Sequence, residues 1–290
     1  MRNPLIRALF FGAAILVSWT CYALDLQTIE GVELVSTHWA DGDSFRVRFP
    51  DGTEHTVRLY GADCLEWHVT DGTDARRLRD QRWYFGITGY GGTPAASITL
   101  AKSLGEAAAL EVRTRLAKPF TVHTTFADAR GDAKYRRIYA FVTTADNEDL
   151  ATVLVTKGLA RAHGVYRGTP RGLSKAQYQD QLRDAELLAA HGGQGIWAYT
   201  DWSALPGERS ALSAEREAGR LETGKALPTT PLDINTASRD ELMRLPGIGE
   251  VTANAIIEKR PYRRVDDLLR VRGIGPNLLD KLRPGVAVGH

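Results

Sequence analysis

Ser44 to Phe49 alternates, with Phe45, Val47 and Phe49 on one face and Arg46 and Arg48 on the other. A two-residue period of this kind marks a strand with one buried face. Pro50-Asp51-Gly52 then turns the chain into His55 to Tyr60, so the pair reads as a β-hairpin whose far strand carries Arg58. Downstream, Leu100, Leu104, Ala108, Val112 and Leu116 recur every four residues, which predicts a helix over Thr99 to Leu116 stopped by Pro119. Alternation returns at Phe120, Val122 and Phe126 and again at Ile138, Ala140 and Val142. Asn147 is expected to cap a helix carrying Leu150, Val153 and Leu154, with Gly158 at its end. A last helix from about Lys175 to Ala190 stops at Gly192-Gly193. Strands, helix, strands, helix, helix is an α+β order consistent with a small five-stranded barrel closed against helices.

The 290 residues allow one sizeable core and a small second domain, and 43% hydrophobic with 25% charged is ordinary globular composition. Met1 to Ala23 reads as a secretory signal peptide: Arg2 and Arg7 form a basic start, Ala8 to Val17 an apolar run, and Cys21-Tyr22-Ala23 a small-x-small cleavage site. The apolar run is short for a membrane span, and Ser18-Trp19-Thr20 is a poor lipoprotein signal before Cys21. A secreted or periplasmic protein is expected, with no stable membrane insertion once the signal is removed; a retained N-terminal anchor is the alternative. Cys64 would then be the sole thiol, which excludes an internal disulfide. Oligomeric state is not legible. Residues 24–202 form the expected first domain, with 21 basic and 23 acidic residues over Leu24 to Trp202. Ser203 to Thr230 has no clear apolar period and balances four basic against four acidic residues, so it reads as a linker; a flexible coil of 28 residues would span roughly 30 Å. Residues 231–290 form the expected second domain, with 10 basic and 8 acidic residues. Nucleic-acid binding therefore has to come from local placement of charge.

The chemistry-bearing residues of the first domain are Asp41-Gly42-Asp43, Arg58, Asp63-Cys64-Leu65-Glu66 and Arg136-Arg137. Acids that can share a hard cation, a further acid that can handle a water, and guanidiniums that can grip a phosphate suit metal-assisted hydrolysis. The bland alternative is that these are turns and strand ends with solvated charges.

The order of these elements, with Gly158-Leu159-Ala160-Arg161 downstream, resembles the staphylococcal nuclease (thermonuclease) family from about Val35 to Trp202. The resemblance implies an OB-type barrel and a calcium-dependent nuclease that cuts DNA and RNA to 3′-phosphate ends. It makes Asp43 and Asp63 metal-binding carboxylates, the Cys64 carbonyl a further oxygen ligand, and Asp41 an acid acting mainly through water. Carboxylates, a carbonyl and waters suit the oxygen-rich shell of Ca2+. Glu66 would orient or deprotonate the attacking water, and Arg58 and Arg137 would hold the phosphate. Tyr135 and Tyr166 match substrate-side tyrosines.

This chain departs from the family pattern in several places. Cys64-Leu65 stands where a small hydroxyl residue and a proline are usual, which predicts a looser approach to Glu66. Arg136 replaces a glycine, and Gly164 stands where a second aromatic is expected, which predicts weaker base stacking. The stretch between Glu66 and Gly105 is long and holds Arg76, Arg77, Arg79, Arg82, Trp83, Tyr84, Phe85 and Tyr90. Basic residues among aromatics suit a single strand, and equally a loop that packs its rings on the barrel; both readings stay open.

In the second domain Ser238-Arg-Asp-Glu241 is a capping box, and Leu245-Pro-Gly-Ile-Gly249 is echoed by Val271-Arg-Gly-Ile-Gly275. This resembles the tandem helix-hairpin-helix DNA-binding unit of the competence-protein type, a small all-α domain. The resemblance assigns Gly247, Gly249, Gly273 and Gly275 to backbone contact with DNA phosphates, where a missing side chain permits close approach. The combined expectation is a nuclease tethered to a DNA grip. The competing expectations are a non-catalytic DNA-binding or uptake protein, and a nuclease whose hairpin unit docks a protein.

Overall fold

The computed structural model describes residues 26–129, 137–222, 227–228 and 230–289. The signal-peptide segment, Tyr135 and Arg136 lie outside the described residues. The chain opens with β1 (Gln27–Val35), β2 (Ser44–Arg48), β3 (Glu54–Leu59) and β4 (Ala62–Cys64). It continues through α1 (Gly72–Phe85), α2 (Pro94–Arg115), β5 (Phe120–Asp128), β6 (Ile138–Thr143), α3 (Leu150–Thr156), β7 (Ala160–Ala162) and α4 (Lys175–His191).

Five strands close into a barrel in the order β1-β2-β3-β6-β5, and β5 returns to β1. The β2–β3 hairpin expected from the alternation is present, and its register sets Ser44 opposite Arg58. β3 runs parallel to β6, with Ile138 opposite Val57 and Tyr139 opposite Arg58, so Arg137 enters β6 on the strand next to Arg58. This α+β barrel is of the OB type anticipated. Strand β1 has no clean sequence signature because Gly31, at φ +70°, interrupts its register with β5 between Ile29 and Val32. A bulge shifts the inward and outward faces, so the two-residue period is lost across it. Asn147 is not the cap of α3. It occupies a left-handed turn at φ +62°, and the Asp149 carboxylate accepts from Thr152 N at 3.0 Å.

The long stretch after Glu66 is helical, and its rings are used for packing. Leu65, Leu78, Phe85, Ile87, Ala101, Ile196 and Trp197 form a second core beside the barrel, with the Phe85 and Trp197 rings 5.0 Å apart. Tyr84 lies under the guanidiniums of Arg161 and Arg209 and donates its hydroxyl to Glu186 at 2.7 Å. Of the two readings of this stretch, packing on the domain is the one the aromatics follow.

The expected linker is corrected over most of its length. Residues Leu205–Glu222 form helix α5, which runs against α1. Leu205 and Leu212 are buried one heptad apart, and between them only the charged Glu208 and Arg209 are partly buried. Glu208 bonds the Thr88 hydroxyl, and Arg209 Nε donates to the Tyr84 carbonyl at 2.9 Å. A face whose polar groups have partners can be buried without looking apolar, which is why hydropathy missed it. Eighteen residues of helix span roughly 27 Å as a stiff rod, so a freely flexible 28-residue coil is excluded.

The last 60 residues contain β8 (Leu232–Asp233), α6 (Arg239–Met243), α7 (Glu250–Glu258), α8 (Pro276–Leu282) and β9 (Val286–Ala287). The capping box at Ser238 forms as expected: its hydroxyl accepts from Glu241 N, and Glu241 accepts from Ser238 N. In the second copy a 3-10 turn over Val265–Arg270 takes the place of the first helix. Leu242, Leu245, Ile248, Ile256, Ile257, Leu268, Ile274, Leu279 and Leu282 are buried, so each copy covers the other's apolar face. β8 pairs with β9 and ties the ends of the unit together. The unit sits against the first domain: Glu250 lies 2.8 Å from His163 Nε2, Glu258 2.5 Å from Lys175 Nζ, and Asp240 3.9 Å from Arg77.

Candidate active site

Asp41 and Asp43 sit in the turn that enters β2, where Ser44 N donates to Asp41 Oδ1 at 2.7 Å. Gly42 is required between them. A side chain there would strike Cys64 Sγ at 2.6 Å and the Ala108 methyl at 2.7 Å. This close approach lets Cys64 N donate to Asp43 Oδ2 at 2.8 Å, locking the β2 entry to β4. Arg58 at the end of β3 bridges two acids, with Nη1 2.7 Å from Asp43 and Nη2 2.8 Å from Asp63. Arg137, just before β6, meets the same group through Ser44 Oγ at 3.2 Å. Asp41, Asp43, Asp63, Glu66, Arg58 and Arg137 are therefore brought together from four segments of sequence.

Three residues absent from the sequence-based site complete it. Gln81 of α1 accepts from Glu66 N at 2.9 Å and donates to the Cys64 carbonyl at 2.6 Å and to Asp63 Oδ2 at 3.1 Å. Arg161, opposite Asp63 in the β4–β7 ladder, donates Nε to Asp63 Oδ2 at 2.7 Å. Arg77 of α1 stands 3.6 Å from Glu66 Oε1. The looser approach to Glu66 expected from Cys64-Leu65 is corrected here. Leu65 is fully buried in the second core, and Gln81 grips the backbone on either side of it. Nothing short of the folded helix could have revealed Gln81, which lies fifteen residues from Glu66 in sequence.

Burial and charge divide the acids. Burial drives Asp41 well above the ordinary carboxylate range, and neighbouring Asp43 and Glu66 add to it. Glu66, 7% exposed, is pushed up to about 7 by burial, which Arg77 partly offsets. For Asp63, burial also works against the charge, but Arg161 and Arg58 outweigh it and hold the carboxyl well below its usual range. Burial lowers Arg137, and the like charges of Arg58 and Arg77 lower it further. Burial pushes the Cys64 thiol up, with Asp43 and Asp41 adding to the effect.

An all-oxygen set of crowded carboxylates has the chemistry of a hard-cation site, since a cation would offset both the burial that raises Asp41 and the repulsion from Asp43 and Glu66 that adds to it. The residues that would hold it are Asp43, Asp63 and the Cys64 carbonyl, with Asp41 beside them acting through water. The set is not closed as the side chains lie. Gln81 and Arg161 take Asp63 Oδ2, Gln81 takes the Cys64 carbonyl, and among the described residues no group of three or more His, Cys, Asp or Glu converges to hold an ion.

Tyr166 is not placed as a stacking platform. Its ring is 6% exposed and packs near Tyr178, and a side chain at Gly61 would strike it at 3.0 Å. Gly164, at φ +113°, lines the cleft that holds Arg58 and Arg137. His163 turns away to Glu250, while His68 lies by His38 and Trp67. In the hairpin unit Gly247 (φ +74°) and Gly273 (φ +96°) make the left-handed turns that glycine favours, and Gly249 and Gly275 open α7 and α8. Gly247 faces the other copy, where a side chain would strike Leu278 at 2.6 Å.

A closed five-stranded barrel with acids and arginines gathered at one end of β2, β3 and β4 defines an OB-type domain of the phosphate-handling class. The comparison with known families agrees. Residues 56–199 match the staphylococcal nuclease homologue family, and residues 228–287 match the helix-hairpin-helix motif. The chain is 32% identical over 156 residues to the endonuclease/exonuclease/phosphatase family domain-containing protein 1 of Bos taurus, a match covering 49% of this chain and 27% of that protein. The Homo sapiens protein of the same name is also 32% identical over 156 residues, covering 49% and 26%. A deoxyribonuclease of Thioalkalivibrio is 46% identical over 52 residues, covering 18% of this chain and 14% of its own. The chain thus spans about a quarter of the length of the animal relatives it matches.

Proposed function

We propose that this protein is a nuclease that hydrolyses phosphodiester bonds of DNA, and of RNA as a second substrate, in a reaction dependent on a divalent cation, with Ca2+ as the ion. The observation that carries the reading is the gathering of four carboxylates and two guanidiniums, Asp41, Asp43, Asp63, Glu66, Arg58 and Arg137, in one buried cluster next to a cleft. Held by Asp43, Asp63 and the Cys64 carbonyl, with Asp41 acting through water, a cation would neutralise charge on the phosphate and its attacking oxygen. Glu66, poised near neutrality, takes the proton of a water whose oxygen forms a new bond to phosphorus. Arg58 and Arg137 face the charge that grows on the phosphoryl oxygens. The bond from phosphorus to the 5′ oxygen breaks, the freed oxygen gains a proton, and the 3′ phosphate remains on the other fragment. The helix-hairpin-helix unit supplies contact with the DNA backbone through Gly247 to Gly249 and Gly273 to Gly275. A signal peptide over residues 1–23 would send the protein to a periplasmic or extracellular site. Among the described residues no helix is long and apolar enough to cross a membrane.

Plasmid and heat-denatured DNA, incubated with calcium or chelator and with Glu66→Gln alongside, test this reading. Cleavage that needs the cation and falls about 10²- to 10⁴-fold in the variant is expected. Binding without cleavage under every divalent ion would instead make the protein a DNA-binding or uptake factor.

A further inference from the structure

The cleft beside the acid cluster is lined by four guanidiniums drawn from three parts of the fold. Arg58 and Arg137 belong to the barrel, Arg77 to α1, and Arg239 to the first turn of α6 in the hairpin unit, with Tyr139, Gly164 and Val165 completing the walls. Arg58 pairs with Asp43 and Asp63 and faces the acid cluster. Arg239 makes one long bond, from Nη1 to Glu250 at 3.5 Å, lies 3.8 Å from Asp240, and its buried Nε has no hydrogen-bond partner among the described residues. Arg77 stands between the two domains, 3.6 Å from Glu66 on one side and 3.9 Å from Asp240 on the other. Like charges gathered in a partly buried cleft repel one another, and a polyanion entering the cleft turns that repulsion into attraction. A nucleic-acid strand presents more than one phosphate to such a cleft, whereas a single diester presents one.

We propose that Arg77 and Arg239 form a second phosphate subsite, built jointly by α1 and the hairpin unit, which takes the phosphate adjacent to the scissile one on the same strand. The hairpin unit then completes the cleft in addition to holding DNA at a distance. This rests on the nuclease reading above, because the scissile phosphate defines what is adjacent.

The test uses the full chain with two substrates, a single nucleotide p-nitrophenyl phosphodiester and a single-stranded tetranucleotide. Binding of a fluorescently labelled tetranucleotide in chelator is measured separately by anisotropy, so that it needs no turnover. Arg77→Ala and Arg239→Ala are each expected to lose about tenfold more in kcat/KM on the tetranucleotide than on the diester and to weaken anisotropy binding about tenfold. The log of affinity against log salt should flatten by about 0.7 per arginine removed. Lys118→Ala, which removes an exposed charge just beyond α2, should leave the ratio between substrates unchanged. Asp240→Asn, which keeps both arginines and removes their shared acid, should tighten tetranucleotide binding; this variant carries the test if an arginine variant does not fold. Equal losses on both substrates, unchanged binding, or faster cleavage in Arg239→Ala would overturn the subsite, the last by making Arg239 part of a shield over the cleft. Wild-type protein inactive on both substrates would defeat the nuclease reading, while the chelator binding series would still decide whether the two arginines hold adjacent phosphate.

Discussion

Glu66 illustrates how much a single side chain owes to its surroundings. Its value of about 7 comes first from burial and lies above its ordinary value near 4.5. If it acts as the base, kcat/KM should climb about tenfold per pH unit below 7 and level off above it, and Glu66→Gln should flatten the profile. The stability consequence has a definite sign. A carboxyl raised in the folded state favours folding when neutral, so its contribution is full below about 4.5 and is lost as pH rises through 7. Glu66→Gln should therefore raise the thermal midpoint at pH 8 and leave it nearly unchanged at pH 4. Scanning calorimetry at the two pH values checks this, and equal shifts at both would contradict it. The acids and Arg58 and Arg137 were legible as a set in sequence because each sits at a turn or strand end. Gln81, Arg77 and Arg161 were not, because Gln81 and Arg77 reach the site from a distant helix face and Arg161 through strand pairing.

At the scale of elements, α1 and α5 act together. α1 carries Gln81 and Arg77 to the site, and α5 packs along α1 through Leu205 and Leu212. Leu212→Ala removes buried contact at that seam and should cost about 2 kcal/mol of stability in urea titration. If the seam also fixes α1, hydrogen exchange at the Glu66 amide, which Gln81 holds, should quicken in the same variant. Unchanged exchange would mean that the second core alone positions α1. The sequence reading found α4 and most barrel strands, whose buried faces are apolar and periodic. It read α5 as linker because the residues that cover α1 include Glu208 and Arg209, whose polar ends are satisfied only by Thr88 and Tyr84 in the folded domain.

Across the whole molecule, the ion pair of Glu250 with His163 joins the hairpin unit to the barrel, and Arg239 of the hairpin unit itself holds the same carboxylate. Burial works against the Glu250 charge, but the His163 contact outweighs it and holds the carboxyl far below its ordinary value. A depressed carboxyl stabilises the docked arrangement above its unfolded value near 4.5, and that contribution is lost as pH falls through the lowered one. Glu250→Gln should accordingly increase the radius of gyration in small-angle scattering at pH 7, and the wild type should approach the variant in strong acid. A radius unaffected by the substitution would show that apolar contact alone holds the two parts together.

The sequence by itself determined the barrel, the paired hairpins and the identity of the acids and arginines, because strand alternation, glycine turns and charged residues at turns are local signals carried in adjacent residues. Only the tertiary structure decided that most of the supposed linker is a helix, that most of the inserted aromatics pack inward, that Gln81 fixes the approach to Glu66, and that Arg239 reaches the cleft beside the acid cluster. Each of these depends on which distant group satisfies a buried polar or charged side chain, and that pairing comes into existence only when the chain has folded.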